Sequence, residues 1–177
     1  MSDRWVNYFC SIGEFRASVI VNVGVESVVR QASVFLVNVR LIYKSPNEDG
    51  LPTQDEYEQV CQVEDDILDF VSENDSLYVG RITVNGIRDY FIYTSKPKEF
   101  WEAEVETIFQ RHGYEFMLSY KEDTNHSDYF ELLYPGDDDW RVIADMDVIN
   151  NACDHGDNCD LPRRVDHWAY FKTRSAG

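Results

Sequence analysis

The side chains best suited to chemistry lie near the end of the chain: Cys153, His155, Cys159 and His167. Thiolate and imidazole are zinc ligands, and a structural zinc takes four of them in a tetrahedron. The spacing here, C-x-H-x3-C-x7-H, lacks the paired C-x2-C knuckle of the usual zinc modules. His167 also follows Asp166 within the apolar run VDHWAYF, so packing and capping are the simpler roles for the set. A cysteine or serine nucleophile would need a turn that presents it, and no G-x-S-x-G turn occurs. Asp137, Asp138 and Asp139 could hold a hard cation, but the calcium-loop pattern D-x-[DN]-x-[DN]-G is incomplete. They are equally acidic candidates for a contact with a protein. No glycine-rich loop is present to cradle phosphate, and Trp5 and Trp101 are assigned to the core rather than to a ligand platform. The expectation is a protein with no catalytic centre, no cofactor and no metal. The alternative is a metal-binding protein or hydrolase built on the Cys153/His155/Cys159/His167 cluster.

Charge narrows the partners. The 177 residues carry 33 acidic and 16 basic side chains, a formal net charge of −17. Twelve acidic residues against one basic, Arg141, fall between Glu122 and Asp160, and the balance reverses from Leu161 onward. Such a surface repels nucleic acid and suits a basic protein partner. No segment is apolar enough to span a bilayer, and the N-terminus lacks the apolar centre of a signal peptide. A cytosolic protein is expected, with its four cysteines (Cys10, Cys61, Cys153, Cys159) as free thiols.

The elements that must position these groups centre on Val34–Tyr120. In Val34–Tyr43, Phe35, Val37, Val39, Leu41 and Tyr43 alternate with Asn38 and Arg40, the period of a strand with one face in a core. A Pro/Asn/Gly loop follows. Thr53 and Glu56 then form a capping box for a helix over about 54–71, whose apolar stripe is Tyr57, Val60, Cys61, Ile67, Leu68 and Val71. Glu64 falls within that stripe and is expected at its edge, reaching water, because a buried charge is costly. Leu77–Val84 and Ile87–Thr94 read as strands joined by Asn85-Gly86, a hairpin signal. Gly80 within the first of them marks a bulge or the close approach of another backbone. A second helix opens at Pro97, buries Trp101, Val105, Ile108 and Phe109, and ends at Gly113; the strand Tyr114–Tyr120 follows.

This strand–helix–strand–strand–helix–strand order predicts an α+β fold, a ferredoxin-like antiparallel sheet with both helices on one face. Two N-terminal strands, Arg4–Cys10 and Phe15–Val23, extend the sheet, and residues 25–33 are a short helix or a loop. Residues 127–133 are a helical turn or a short strand. Pro135-Gly136 marks a boundary, so the expected domains are 1–136 and an appendage, 137–177, made of a helix over 142–153 and a strand over 165–171.

Two stretches also look familiar. W-V-N-Y at Trp5–Tyr8, S-V-I-V-N-V at Ser18–Val23, the G-L-P turn at Gly50–Pro52 and V-G-R-I-T-V-N-G-I-R-D-Y-F-I-Y at Val79–Tyr93 together resemble the bacterial domain-of-unknown-function family numbered 695, over about residues 4–136. Gly156-Asp157 followed by L-P-R-R-V-D-H-W-A-Y-F at Leu161–Phe171 resembles the start of the RraB family, regulators that bind and inhibit ribonuclease E. Neither resemblance supplies catalytic residues. Together they imply a non-enzymatic protein-binding module, an RraB-like regulator among the versions of that reading. Only the beginning of an RraB domain precedes Gly177, so its apolar strand is expected to join an edge of the central sheet or a second copy of the chain, giving a homodimer.

Overall fold

The computed structural model describes residues 3–158. Strands β1 (Trp5–Ile12) and β2 (Phe15–Asn22) form a hairpin, followed by a 3-10 turn (Val23–Val25) and a short helix α1 (Glu26–Val29). Then come β3 (Phe35–Ile42), α2 (Gln54–Glu73), β4 (Leu77–Val84), β5 (Ile87–Thr94), α3 (Lys98–His112) and β6 (Glu115–Glu122). A π-helical turn (Asp128–Leu133) leads to α4 (Asp137–Asp154). The six strands make one sheet in the order β1-β2-β4-β5-β3-β6, every neighbouring pair antiparallel. The protein is thus α+β, with the N-terminal hairpin added beside β4. The strand expected over 165–171 lies outside the described residues. The chain divides after Ile143 into two compact units; the sheet belongs to the first.

Two cores form on opposite faces of this sheet, because successive side chains of a strand point to opposite sides. On the front face, Val37, Val39 and Leu41 of β3 and Tyr90 and Ile92 of β5 pack against α2 (Val60, Val63, Ile67, Val71) and α3 (Trp101, Val105, Ile108, Phe109). On the back face, Tyr8, Val19, Val21, Val79, Phe91 and Tyr93 pack against Val25, Val29, Tyr129, Leu133 and Ile143. The back core corrects the expectation that one face of the sheet alone is buried. Tyr129 and Leu133 are fully buried. The Tyr129 hydroxyl donates to the Asn22 carbonyl (2.8 Å) and the Tyr8 hydroxyl to the Leu133 carbonyl (3.1 Å). A six-residue segment gives too little periodicity to announce such docking.

The hairpin turn is as expected: Asn85 and Gly86 have φ of 46° and 80°. Gly80 serves both of its anticipated roles. The β4/β5 register shifts between Tyr78 and Gly80, and a Cβ on Gly80 would stand 2.5 Å from the Ile20 carbonyl oxygen. The α2 stripe is corrected in part: Glu56 and Val63 are buried, whereas Tyr57 is 48% exposed. Thr53 makes no side-chain cap, and the Glu56 carboxylate accepts instead from the backbone N–H groups of Lys44 (2.7 Å) and Ser45 (3.0 Å). The loop entering the helix competes for this carboxylate and wins, since its two amides have no ladder partner at the end of β3. Helix α4 begins at Asp137, five residues before the expected start. Asp139 there reaches back to the Gly136 N–H (2.9 Å), and three acidic residues occupy the positive end of the helix dipole.

Candidate functional site

The expected tail cluster is only partly described. Cys153 closes the last turn of α4 and is disulfide-bonded, which corrects the expectation of a free thiol there; Cys10 and Cys61 are free. His155 lies just beyond the helix with Nδ1 2.7 Å from the Asn151 carbonyl oxygen, a capping contact. Cys159 and His167 lie outside the described residues, and no group of three metal-ligating side chains occurs among the described ones. Asp138 pairs with Arg141 at the surface (2.6 Å), and Asp137 and Asp139 share its helical turn.

A second polar group comes together after β6. Buried Asp123 accepts from the Ser127 N–H (2.8 Å), the Ser127 hydroxyl (2.9 Å), the Asp128 N–H (3.1 Å) and the Tyr93 hydroxyl (2.7 Å). Although burial opposes its charge, these donors hold its carboxyl below the usual range. Ser127 thus donates to a carboxylate and not to neighbouring His126, whose ring packs edge-on against Tyr93 at 4.9 Å. The constellation caps the π-helical turn and does not activate a nucleophile. Burial and the charge of Asp139 raise the pKa of the free thiol at Cys10.

The most unusual arrangement lies on the front face where α2 meets β4 and β5. Cross-strand register sets Phe9, Ser18, Thr83, Arg88 and Leu41 in one row, and Asn7, Ile20, Arg81, Tyr90 and Val39 in the next. Helices α2 and α3 cover the apolar end of these rows and leave the β1–β2 end open. At the boundary, Arg81 and Arg88 both pair with Glu64 of α2, the Arg88 contact at 2.8 Å. The Arg88 Nε also donates to the Thr83 hydroxyl (3.1 Å). The Glu64 side chain is 12% exposed, so it sits inside, not at the watery edge the sequence suggested. Two guanidiniums on adjacent strands make burial tolerable.

Phenols surround the pair. Burial pushes the Tyr90 hydroxyl up to about 12 and raises those of Tyr43 and Tyr78. The hydroxyls of Tyr43, Tyr78 and Tyr90 are buried; those of Tyr43 and Tyr90 face the Arg88 guanidinium, and that of Tyr78 has no hydrogen-bond partner. Burial, with the like charge of Arg88, also lowers the pKa of Arg81. Above the guanidiniums opens a cleft of ≈ 270 Å³, walled by Phe9, Ile20, Leu51, Pro52 and Tyr57. Sequence reasoning located Glu64 but not its partners. Arg81 and Arg88 look like ordinary outward residues of a hairpin, and the one available signal was a carboxylate inside an apolar stripe.

These features define an α+β protein on a six-stranded antiparallel sheet, with a polar cleft where its added hairpin meets the helices. The chain belongs to a family of unknown function, DUF695, whose model matches residues 3–134. That span bears out the first resemblance; the RraB-like stretch falls beyond the match, and its Leu161–Phe171 run lies outside the described residues. No curated protein and no solved structure matches the chain. No helix among the described residues is long and apolar enough to cross a membrane.

Proposed function

We propose that the protein is a non-enzymatic, cytosolic binding module that meets a basic protein partner along the β1–β2 hairpin. The observation that carries this reading is the hairpin's exposed apolar set at the end of the sheet. Trp5 is 43% exposed, Phe9 51%, Ile12 37% and Phe15 49%, and β1 is a terminal strand among the described residues. An edge strand with exposed apolar side chains offers a partner both backbone hydrogen bonds and side-chain contact. The net charge of −17 selects a basic segment for that role. In the same reading the central strands, ordered β4-β5-β3-β6 with α2 and α3 on one face, are a ferredoxin-like unit elaborated by β1 and β2. An RraB-like regulatory role rests on Leu161–Phe171 alone.

The test is a pull-down from bacterial lysate at low and high salt, comparing the wild type with W5A/I12K. A basic protein retained by the wild type, released by salt and lost in the variant supports the reading. Equal retention by both proteins, or self-association in place of a heterologous partner, overturns it.

A further inference from the structure

We propose that the cleft above Arg81 and Arg88 is a binding site for a small monocarboxylate with an apolar body. The cleft shares Phe9 with the hairpin's exposed set but takes a different class of ligand, and neither reading depends on the other.

Two guanidiniums and one carboxylate leave a surplus of one positive charge in a setting where the Arg81 side chain is 18% exposed and that of Arg88 5%. A charge so placed is costly without a partner. Among the described residues Arg81 has no partner but Glu64, so most of its fork is unengaged. The surplus is not part of a general basic surface, because the chain as a whole is strongly acidic.

Hydrogen bonding points the same way. The Arg88 guanidinium is engaged by Glu64, by the Thr83 hydroxyl and by the phenols of Tyr43 and Tyr90, which leaves the Arg81 fork as the group open to a ligand. Tyr90 is fully buried and is the cross-strand neighbour of Arg81. An anion with two acceptor oxygens, held by that fork in the cleft that Arg81 and Arg88 line, satisfies the charge and the unengaged N–H donors at once.

The walls and the amount of charge choose the class of anion. Beside the polar Asn7, Ser18 and Thr83, the cleft is walled by Phe9, Ile20, Leu51, Pro52 and Tyr57, an apolar stretch that suits a hydrocarbon or aromatic body. One surplus charge balances a monoanion. A phosphate near its second ionisation carries about 1.5–2 negative charges, and the apolar walls leave the excess unsolvated.

The experiment uses the full chain and calorimetric titration with benzoate, hexanoate, inorganic phosphate and the neutral isostere benzamide. Saturable one-to-one binding of benzoate or hexanoate is expected, with phosphate weaker and benzamide silent. Arg81→Met removes the surplus charge yet leaves Glu64 paired one-to-one with Arg88, so the fold is retained while carboxylate affinity drops about 10- to 100-fold. If that variant does not fold, the Nε–H resonances of Arg81 and Arg88 in the wild type decide: movement on adding benzoate supports the site, and unmoved resonances refute it. Binding of neither carboxylate, benzamide binding as well as benzoate, phosphate binding best, or undiminished binding by a folded Arg81→Met protein would each overturn the proposal.

Discussion

Removing the Glu64 carboxylate should be far more damaging than removing Arg81, although the two form one ion pair. In the Glu64→Ala protein, buried Arg88 and half-buried Arg81 are left adjacent and uncompensated. Breaking a buried pair in this way costs about 3–5 kcal/mol, since the remaining charge keeps its desolvation penalty and loses its attraction. Here two charges are stranded, and they also repel each other. For a chain of this length each kcal/mol moves Tm by about 2–4 °C, so the expected fall is about 6–20 °C. In the Arg81→Met protein the Glu64–Arg88 pair remains at 2.8 Å, neutral overall and still tied to Thr83. Methionine keeps most of the stem's volume, so the expected cost is under about 1 kcal/mol. Urea unfolding followed by far-UV circular dichroism measures both. If the two variants lose stability equally, or if Glu64→Ala loses less than about 1 kcal/mol, the reasoning about stranded charge is wrong, and with it the account of why Glu64 is inside.

Other outcomes follow from different parts of the structure. Gly80→Ala places a methyl group 2.5 Å from the Ile20 carbonyl and 3.1 Å from the Val21 Cα, so the β2–β4 seam must part; a loss of about 1–3 kcal/mol in urea unfolding is expected. Asp123→Ala strands the donors of Ser127, Asp128 and Tyr93 and should cost about 2–4 kcal/mol, with faster hydrogen exchange concentrated in residues 127–133. Asp66 bridges the two helices through His112 (2.8 Å) and Arg111 (2.7 Å), and the hydrogen bond from His112 is the chief cause of its lowered pKa. A lowered carboxylate pKa contributes stability above the unfolded value and loses it as pH falls through the folded one. The Asp66→Asn protein should therefore melt below the wild type at neutral pH, and the difference should vanish as the solution is acidified below about pH 3.8; a gap that persists in acid would refute the linkage.

Strand β3, the Asn85-Gly86 hairpin, the buried set of α3 and the close approach at Gly80 were all legible in the chain. Each is set by local periodicity or by backbone geometry that few residues tolerate, and such signals survive without knowledge of distant neighbours. The Tyr57 and Glu56 assignments on α2 failed for the opposite reason. Helical spacing says which residues share a face, but not which rim of that face the sheet covers or whether a loop amide will claim a carboxylate. Tyr129 and Leu133 could be read as apolar contacts of a short segment but not where they dock, since only the added hairpin supplies the surface that buries them. The same holds for the candidate site. Glu64, Arg81 and Arg88 are ordinary charged residues in a charged chain until strand register brings two guanidiniums beneath one carboxylate. The sequence by itself determined the strands, the helices and the acidic balance, because these depend on residues a few positions apart. Tertiary structure alone decided which charges lie in the dark together, because burial and pairing are properties of elements packed across the sheet.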